Sequence, residues 1–301
     1  MITRGQQMLA LRRRRMAAAL PFLRGGFRPF FFGGAAWGLI ALTLWILALV
    51  GAVSLPTMFD PLAWHRHEML FGFVGAVIAG FLLTAIPNWT GRLPIAGPPL
   101  AALAGLWLAA RLAVLFSAKI GMFEAAVLDI GFYLVLAFVG AREVLAAKNR
   151  NLPIVGVVLL FAAANALDHI GAAGLMANAD LGWMLGLSLV ILLISLIGGR
   201  ITPSFTRNWM AKQGMAGRLP TQPGRFDLLV IGITALALLF WVSGPAGLVA
   251  GGLLVAAALL QAVRLARWGG FRTIRDPLVA VLHVGYAWVP IGLALLGLSL
   301  A

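Results

Sequence analysis

The segment WHRHEMLFGFVGAVIAGFLLTAIPNWTGR, residues 64–92, sets two histidines, an arginine and a glutamate directly before a run, Leu70 to Ile86, that carries no charge. About 20 consecutive apolar residues cross the hydrocarbon core of a bilayer as a helix. The run therefore reads as a membrane span, 66–87. The ionisable residues at its head are then what function has to explain, because charge in lipid is costly and is placed facing the protein interior.

The rest of the chain repeats this pattern. Eight further runs of similar length lie at 30–53, 96–117, 120–146, 153–176, 181–202, 226–243, 246–266 and 277–299. Pro153 and Pro277 mark the starts of two of them. Hydrophobic residues make up 62% of the 301 residues and charged residues 11%. Soluble domains are about 45–50% apolar and about 25% charged, and one of this length could not cover so much apolar surface. The expected fold is all-α and polytopic, with about nine transmembrane helices.

The net charge of +14 raises the question of nucleic acid. Its distribution argues against that partner, because Lys and Arg fall in short clusters between apolar runs and form no basic face with interleaved aromatics. The clusters follow the positive-inside rule. With the amino terminus inside, the inner segments are 1–29, 88–95, 142–152, 200–225 and 264–276. They hold 7, 1, 3, 5 and 4 Lys and Arg, 20 of the 23 in the chain. Such clusters also suit an anionic inner leaflet, so membrane lipid is the expected partner surface. The start, with Arg12-Arg13-Arg14-Arg15, is a basic inner segment, and the first apolar run is too long for a signal-peptide core. Nine spans put the carboxyl terminus outside.

An internal repeat is expected. The second span ends in Thr84-Ala85-Ile86-Pro87-Asn88-Trp89, and the sixth in Ile201-Thr202-Pro203-Ser204-Phe205-Thr206-Arg207-Asn208-Trp209, with Pro87 and Pro203 separated by 116 residues. On this reading residues 1–29 precede a single transmembrane domain, 30–301. That domain comprises a four-helix unit at 30–146, a second at 153–266, and the first helix of an incomplete third unit at 277–301.

Placed by depth, the ionisable residues gather toward the outer side: His65, His67 and Glu68; Arg111; Glu124 and Asp129; Asp168 and His169. Asn165, Asp168 and His169 are spaced three and four apart and share a helix face. From there His169 is a candidate cofactor ligand, and Asp168 is placed to hold a ring nitrogen of a histidine on another helix. His65 and His67 are two residues apart, so on a regular helix they point to roughly opposite sides. Either one of them lies in the preceding loop or they serve two centres. His67 shares a face with Trp64 and Phe71, and His65 with Glu68 and Met69. Arg111 with Glu124 or Asp129 reads as an intramembrane ion pair, and its guanidinium also suits a cofactor carboxylate such as a haem propionate. His283, about six residues into the ninth span, is a candidate ligand on the inner side.

The chain has no cysteine, which excludes disulfides, thiolate-held clusters and Cys nucleophiles, and leaves His and Met as the softer metal ligands. No phosphate loop, HExxH pair or nucleophile elbow is present, so no catalytic residue is assigned. An alternative to metal binding is a transporter that uses the Arg, Asp, Glu and His cluster as an ion or proton path, although transporter sites usually lie near the midplane on broken helices.

Residues 64–92, the Gly198-Gly199-Arg200 to Asn208-Trp209 segment and His283-Val284-Gly285-Tyr286-Ala287-Trp288 together resemble the signature of the NnrS family. The resemblance covers most of the chain after Arg24 and keeps the motif order. It implies a bacterial inner-membrane protein that carries haem and copper, acts in the response to nitric oxide and protects against nitrosative stress; nitric oxide is then a candidate small-molecule ligand. His65, His67 and His283 stand in the matching motifs and become the expected metal ligands, with Glu68, Met69, Asp129, Asp168 and Arg200 in support. The resemblance also implies about twelve helices, and hence a third unit beyond Ala301.

Overall fold

A computed structural model of the protein describes residues 7, 10, 11, 14, 17–215, 219, 220, 222–244 and 247–300. Of the basic residues counted above, Arg4, Arg12, Arg13, Arg15 and Arg218 lie outside them. Among the described residues there is no strand, and nine helices are long and apolar enough to cross a membrane. They are α1 (Phe27–Leu49), α2 (Pro61–Thr90), α3 (Pro98–Leu115), α4 (Met122–Ala146), α5 (Leu152–Ala172), α6 (Leu181–Lys212), α7 (Arg225–Val242), α8 (Leu248–Ala266) and α9 (Pro277–Leu300). The chain is a multi-pass membrane protein.

Each expected span is present, and the differences in boundary have local causes. α2 begins at Pro61, ahead of the expected 66, because Asp60 caps it. The Asp60 carboxylate accepts the Leu62 and Ala63 amide protons at 2.9 and 3.4 Å. Pro61, at the first helical position, has no amide proton to satisfy. A capped turn of mixed polarity carries no hydropathy signal, yet it places His65 on the helix and not in the loop before it. α6 runs on to Lys212, past the expected 202, as an amphipathic extension that buries Thr206 and Met210.

α2 and α6 share an irregularity. Each contains a π segment, Glu68–Val74 in α2 and Ile194–Gly198 in α6, and each has an interior proline, Pro87 and Pro203. Non-α backbone at membrane depth persists only where other groups satisfy the freed carbonyls. They do so here. Tyr133 Oη of α4 donates to the Phe71 carbonyl, and Trp107 Nε1 of α3 to the Gly72 carbonyl at 3.1 Å. In α6 the Ser195 carbonyl accepts from Arg264 Nη1 at 2.9 Å.

The chain forms two compact units, Met1–Gly186 and Leu187–Ala301. In both, large apolar side chains such as Phe123, Phe138, Leu278 and Trp288 are exposed, while polar residues are buried inside. This suits lipid as solvent, where packing and interhelical hydrogen bonds hold helices together without a hydrophobic drive between them. The first unit packs Phe30, Phe71, Phe132, Tyr133 and Phe161 as a fully buried aromatic group. Through Phe71 that group adjoins a buried polar cluster at His67.

Candidate functional site

Capping at Asp60 sets the phase of α2 so that Trp64, His67, Glu68 and Phe71 all turn inward and are fully buried. These positions follow the i, i+3, i+4, i+7 pattern of one helix face. Glu68 therefore belongs with His67 and not with His65, against the expected grouping. Glu68 Oε2 accepts from Trp37 Nε1 of α1 at 2.5 Å and from Arg111 Nη1 of α3 at 2.9 Å. The other guanidinium nitrogen, Arg111 Nη2, donates to Asp129 Oδ1 of α4. Arg111 thus pairs with Asp129 and Glu68, whereas Glu124 is exposed in the first turn of α4. The close approach of α2 requires Gly72, since a Cβ there would collide with the Glu68 carboxylate and lie 3.1 Å from Arg111 Nη1.

Asp129 is the hub. Its Oδ2 meets His67 Nε2 at 2.8 Å, His169 Nε2 at 3.1 Å and Asn165 Nδ2 at 2.8 Å. Asp168 Oδ2 faces the other ring nitrogen of His67, Nδ1, at 2.8 Å. The α5 face carrying Asn165, Asp168 and His169 thus turns toward α2 and α4, and Asp168 holds a histidine of another helix as its spacing suggested. Phe59 packs against the His67 and His169 rings at 5.0 and 5.4 Å, and Phe71 against His67 at 5.1 Å. These rings exclude water from the imidazoles.

Two features set this cluster apart from a packing network. The first is charge. The cluster holds three carboxylates, Glu68, Asp129 and Asp168, and one guanidinium, so with neutral imidazoles and all carboxylates ionised it carries two uncompensated negative charges. Both ring nitrogens of His67 confront carboxylate oxygens, and a neutral imidazole has only one N–H to offer. A proton or a cation belongs between His67 Nε2 and Asp129. The second is satisfaction. Trp64 Nε1, Glu68 Oε1, Arg111 Nε, Asn165 Oδ1 and His169 Nδ1 are buried without a hydrogen-bond partner. Buried polar atoms are rarely left so.

The second unit supplies the contrast. Arg264 of α8 donates to Asp227 Oδ1 of α7 at 2.7 Å, to Ser195 Oγ at 3.0 Å and to Tyr286 Oη of α9 at 3.0 Å. Gln261 donates to Ser195 and Thr234 at 2.8 and 2.9 Å and accepts from Tyr286 at 2.6 Å. One cation meets one anion, and no orphaned atom occurs in this network among the described residues. This is structural glue. It escaped the sequence reading, which counted Arg264 with the loop charges; Gln261 and Arg264, three apart in an apolar run, were its only trace.

The remaining expected residues lie elsewhere. His65 stacks on Trp45 of α1, centroids 4.1 Å apart and planes 13° apart, and takes no part in the cluster. Met69 is half-buried in the π segment, and Arg200 is exposed. His283 belongs to the second unit, where Nε2 bonds to Thr206 Oγ1 at 2.8 Å. Trp37, Tyr133, Trp107 and Phe59, which orient or enclose the cluster, carried no sequence signal beyond being aromatic.

His67, Asp129 and His169 each present one ligand atom, all within 4.8 Å of one another and all buried. Ligands bound tetrahedrally at about 2.0–2.1 Å lie roughly 3.4 Å from each other, close to the 2.8 and 3.1 Å separating the imidazole nitrogens from Asp129 Oδ2. Two imidazoles and a carboxylate suit copper and non-haem iron. The fit to haem is weaker. His283 is the one polar residue lining an apolar groove, no cationic side chain lines it to receive propionates, and Nε2 is engaged by Thr206.

A family model described as NnrS protein matches residues 21–301. No curated protein and no solved structure matches the chain.

Proposed function

Since the chain belongs to the NnrS family, we propose that it is a metal-binding membrane protein of the nitric oxide response, with the ion held by His67, His169 and Asp129. The observation that carries this reading is the charge of the buried cluster. Three carboxylates and one guanidinium gather around two imidazoles, and a single divalent cation brings the sum to zero. Unpaired buried charge is strongly unfavourable, and in lipid more so. Copper is the ion the family resemblance implies.

The residues divide the work. His67 and His169 turn Nε2 toward Asp129 Oδ2, so two neutral donors and one anion converge. Asp168 accepts the Nδ1 proton of His67 and thereby keeps Nε2 as the lone-pair donor. Arg111 neutralises the second oxygen of Asp129 and is itself anchored by Glu68. Phe59 and Phe71 keep the imidazoles dry. A copper ion bound there would supply a coordination position for nitric oxide, which is apolar enough to arrive through the bilayer without a water channel. Localisation in the bacterial inner membrane, with the amino terminus cytoplasmic, belongs to the same proposal.

The test is metal analysis of detergent-purified protein for copper and iron, with optical and paramagnetic resonance spectra before and after nitric oxide. We expect about one copper per chain, a spectrum altered by nitric oxide, and loss of the metal in His67→Ala and His169→Ala but not in His65→Ala. Iron in place of copper would keep the site and change the ion. A folded, monodisperse protein without metal, or one whose metal survives both substitutions, would overturn the proposal.

A further inference from the structure

The second unit contains a groove of about 610 Å³ between α8 and α9, lined also by Gly270 and Phe271 of the 3-10 turn Gly270–Thr273. It falls within the ~300–1,000 Å³ of small-molecule sites. Its walls are apolar, with residues such as Ala262 and Ala266 from α8 and Ala287 and Pro290 from α9, and a single polar side chain, His283.

Hydrogen bonding determines the tautomer of that imidazole. Thr206 has one hydroxyl proton, which it donates to the Thr202 carbonyl at 2.8 Å. Its oxygen must then accept from His283 Nε2, also at 2.8 Å. Nε2 carries the proton, and Nδ1 is left with a lone pair. His283 is 9% exposed, and no hydrogen bond reaches Nδ1 among the described residues. Gly270 lies against the ring, where a Cβ would come within 2.5 Å of Nδ1 and 2.6 Å of Cγ. The backbone turn thus lies over the imidazole, and Gly270 and His283 both line the groove. An acceptor in an apolar slot without a donor is unfavourable, and lipid tails offer no donor.

We propose that this groove binds an isoprenoid hydroquinone from the bilayer, its ring in the slot and one hydroxyl donating to His283 Nδ1. The ligand must be apolar, reach the groove from lipid and bring an O–H. An acyl chain meets the first two requirements and fails the third. A hydroquinone meets all three, and its oxidised form, with carbonyl oxygens only, cannot donate. His283 lies roughly 9 Å along α9 from its start, at 1.5 Å per residue, a depth that suits a polar headgroup on an apolar tail. The assignment rests on the second unit alone and holds whether or not metal binds in the first.

The experiment uses the full chain in nanodiscs with ¹⁵N-labelled histidine, titrated with decylubiquinol and separately with decylubiquinone. The unprotonated Nδ1 resonance of His283, identified by its loss in His283→Leu, is expected to shift saturably with the quinol. The quinone should bind about tenfold more weakly, the worth of one buried hydrogen bond. Thr206→Val frees the tautomer and should weaken the quinol by a similar factor, while Thr206→Ser, which keeps the hydroxyl, should restore it. Equal binding of both redox forms would reduce the groove to a lipid slot and overturn the assignment, as would the absence of a saturable shift or an unchanged affinity in Thr206→Val.

Discussion

At the scale of single residues, the cluster turns on Asp129, one oxygen of which meets two imidazoles and an amide while the other takes Arg111. Arg111 is wholly buried, so Arg111→Met would strand two carboxylates in the bundle. Breaking a buried pair in this way costs about 3–5 kcal/mol, and a drop in the thermal unfolding midpoint in detergent is the readout. Asp168→Asn should leave the fold intact, since the amide oxygen still accepts from His67 Nδ1. Metal affinity should fall about 10–100-fold, the usual effect of weakening the group that orients a ligating histidine; a competition titration with a copper chelator measures it. Part of this site was legible in the chain. Asn165, Asp168 and His169 declare a common face by spacing alone, and Asp168 does reach a histidine on another helix. That the histidine is His67 was not legible, because the two residues are 101 apart and meet only through helix packing.

At the scale of elements, the π segment of α2 lets His67 and Glu68 enter one pocket while leaving the carbonyls of Phe71 and Gly72 to Tyr133 and Trp107. Tyr133→Phe removes one of those donors. Leaving a buried carbonyl unmet costs about 1–3 kcal/mol, and amide hydrogen exchange should quicken across residues 68–75 and not in α5. If exchange there is unchanged, the π segment does not depend on Tyr133. Asp60→Ala removes the cap that sets the phase of α2, at about 0.5–2 kcal/mol, and should loosen His67 along with the helix start. All nine spans were visible as apolar runs, since hydropathy is summed over neighbours in the chain. The π segments were invisible to it, because they arise from donors on other helices.

At the scale of the whole molecule, the two units bury polar residues in different ways. The Arg264 network of the second balances one arginine with one aspartate and leaves no orphaned atom among the described residues; the Asp129 cluster of the first has an excess of negative charge and five such atoms. The expected topology can be tested in the first unit, and a chain without cysteine is suited to it. Lys119→Cys should react with a membrane-impermeant maleimide in intact cells, and Lys148→Cys only after permeabilisation. The reverse pattern would invert the orientation read from the positive-inside count. The sequence by itself determined the membrane class, the number of spans among the described residues, the family and which ionisable residues lie within the spans of the first unit, because each of these is written in local composition, spacing or motif. Tertiary structure alone decided that His65 stacks on a tryptophan while His67 joins His169 and Asp129, that Arg111 pairs with Asp129 and Glu68 and not Glu124, and that Arg264 is a buried tie and not a loop charge. The physical reason is that a buried charge takes the partner that helix packing brings within hydrogen-bond reach, and that choice is made between helices far apart in the chain.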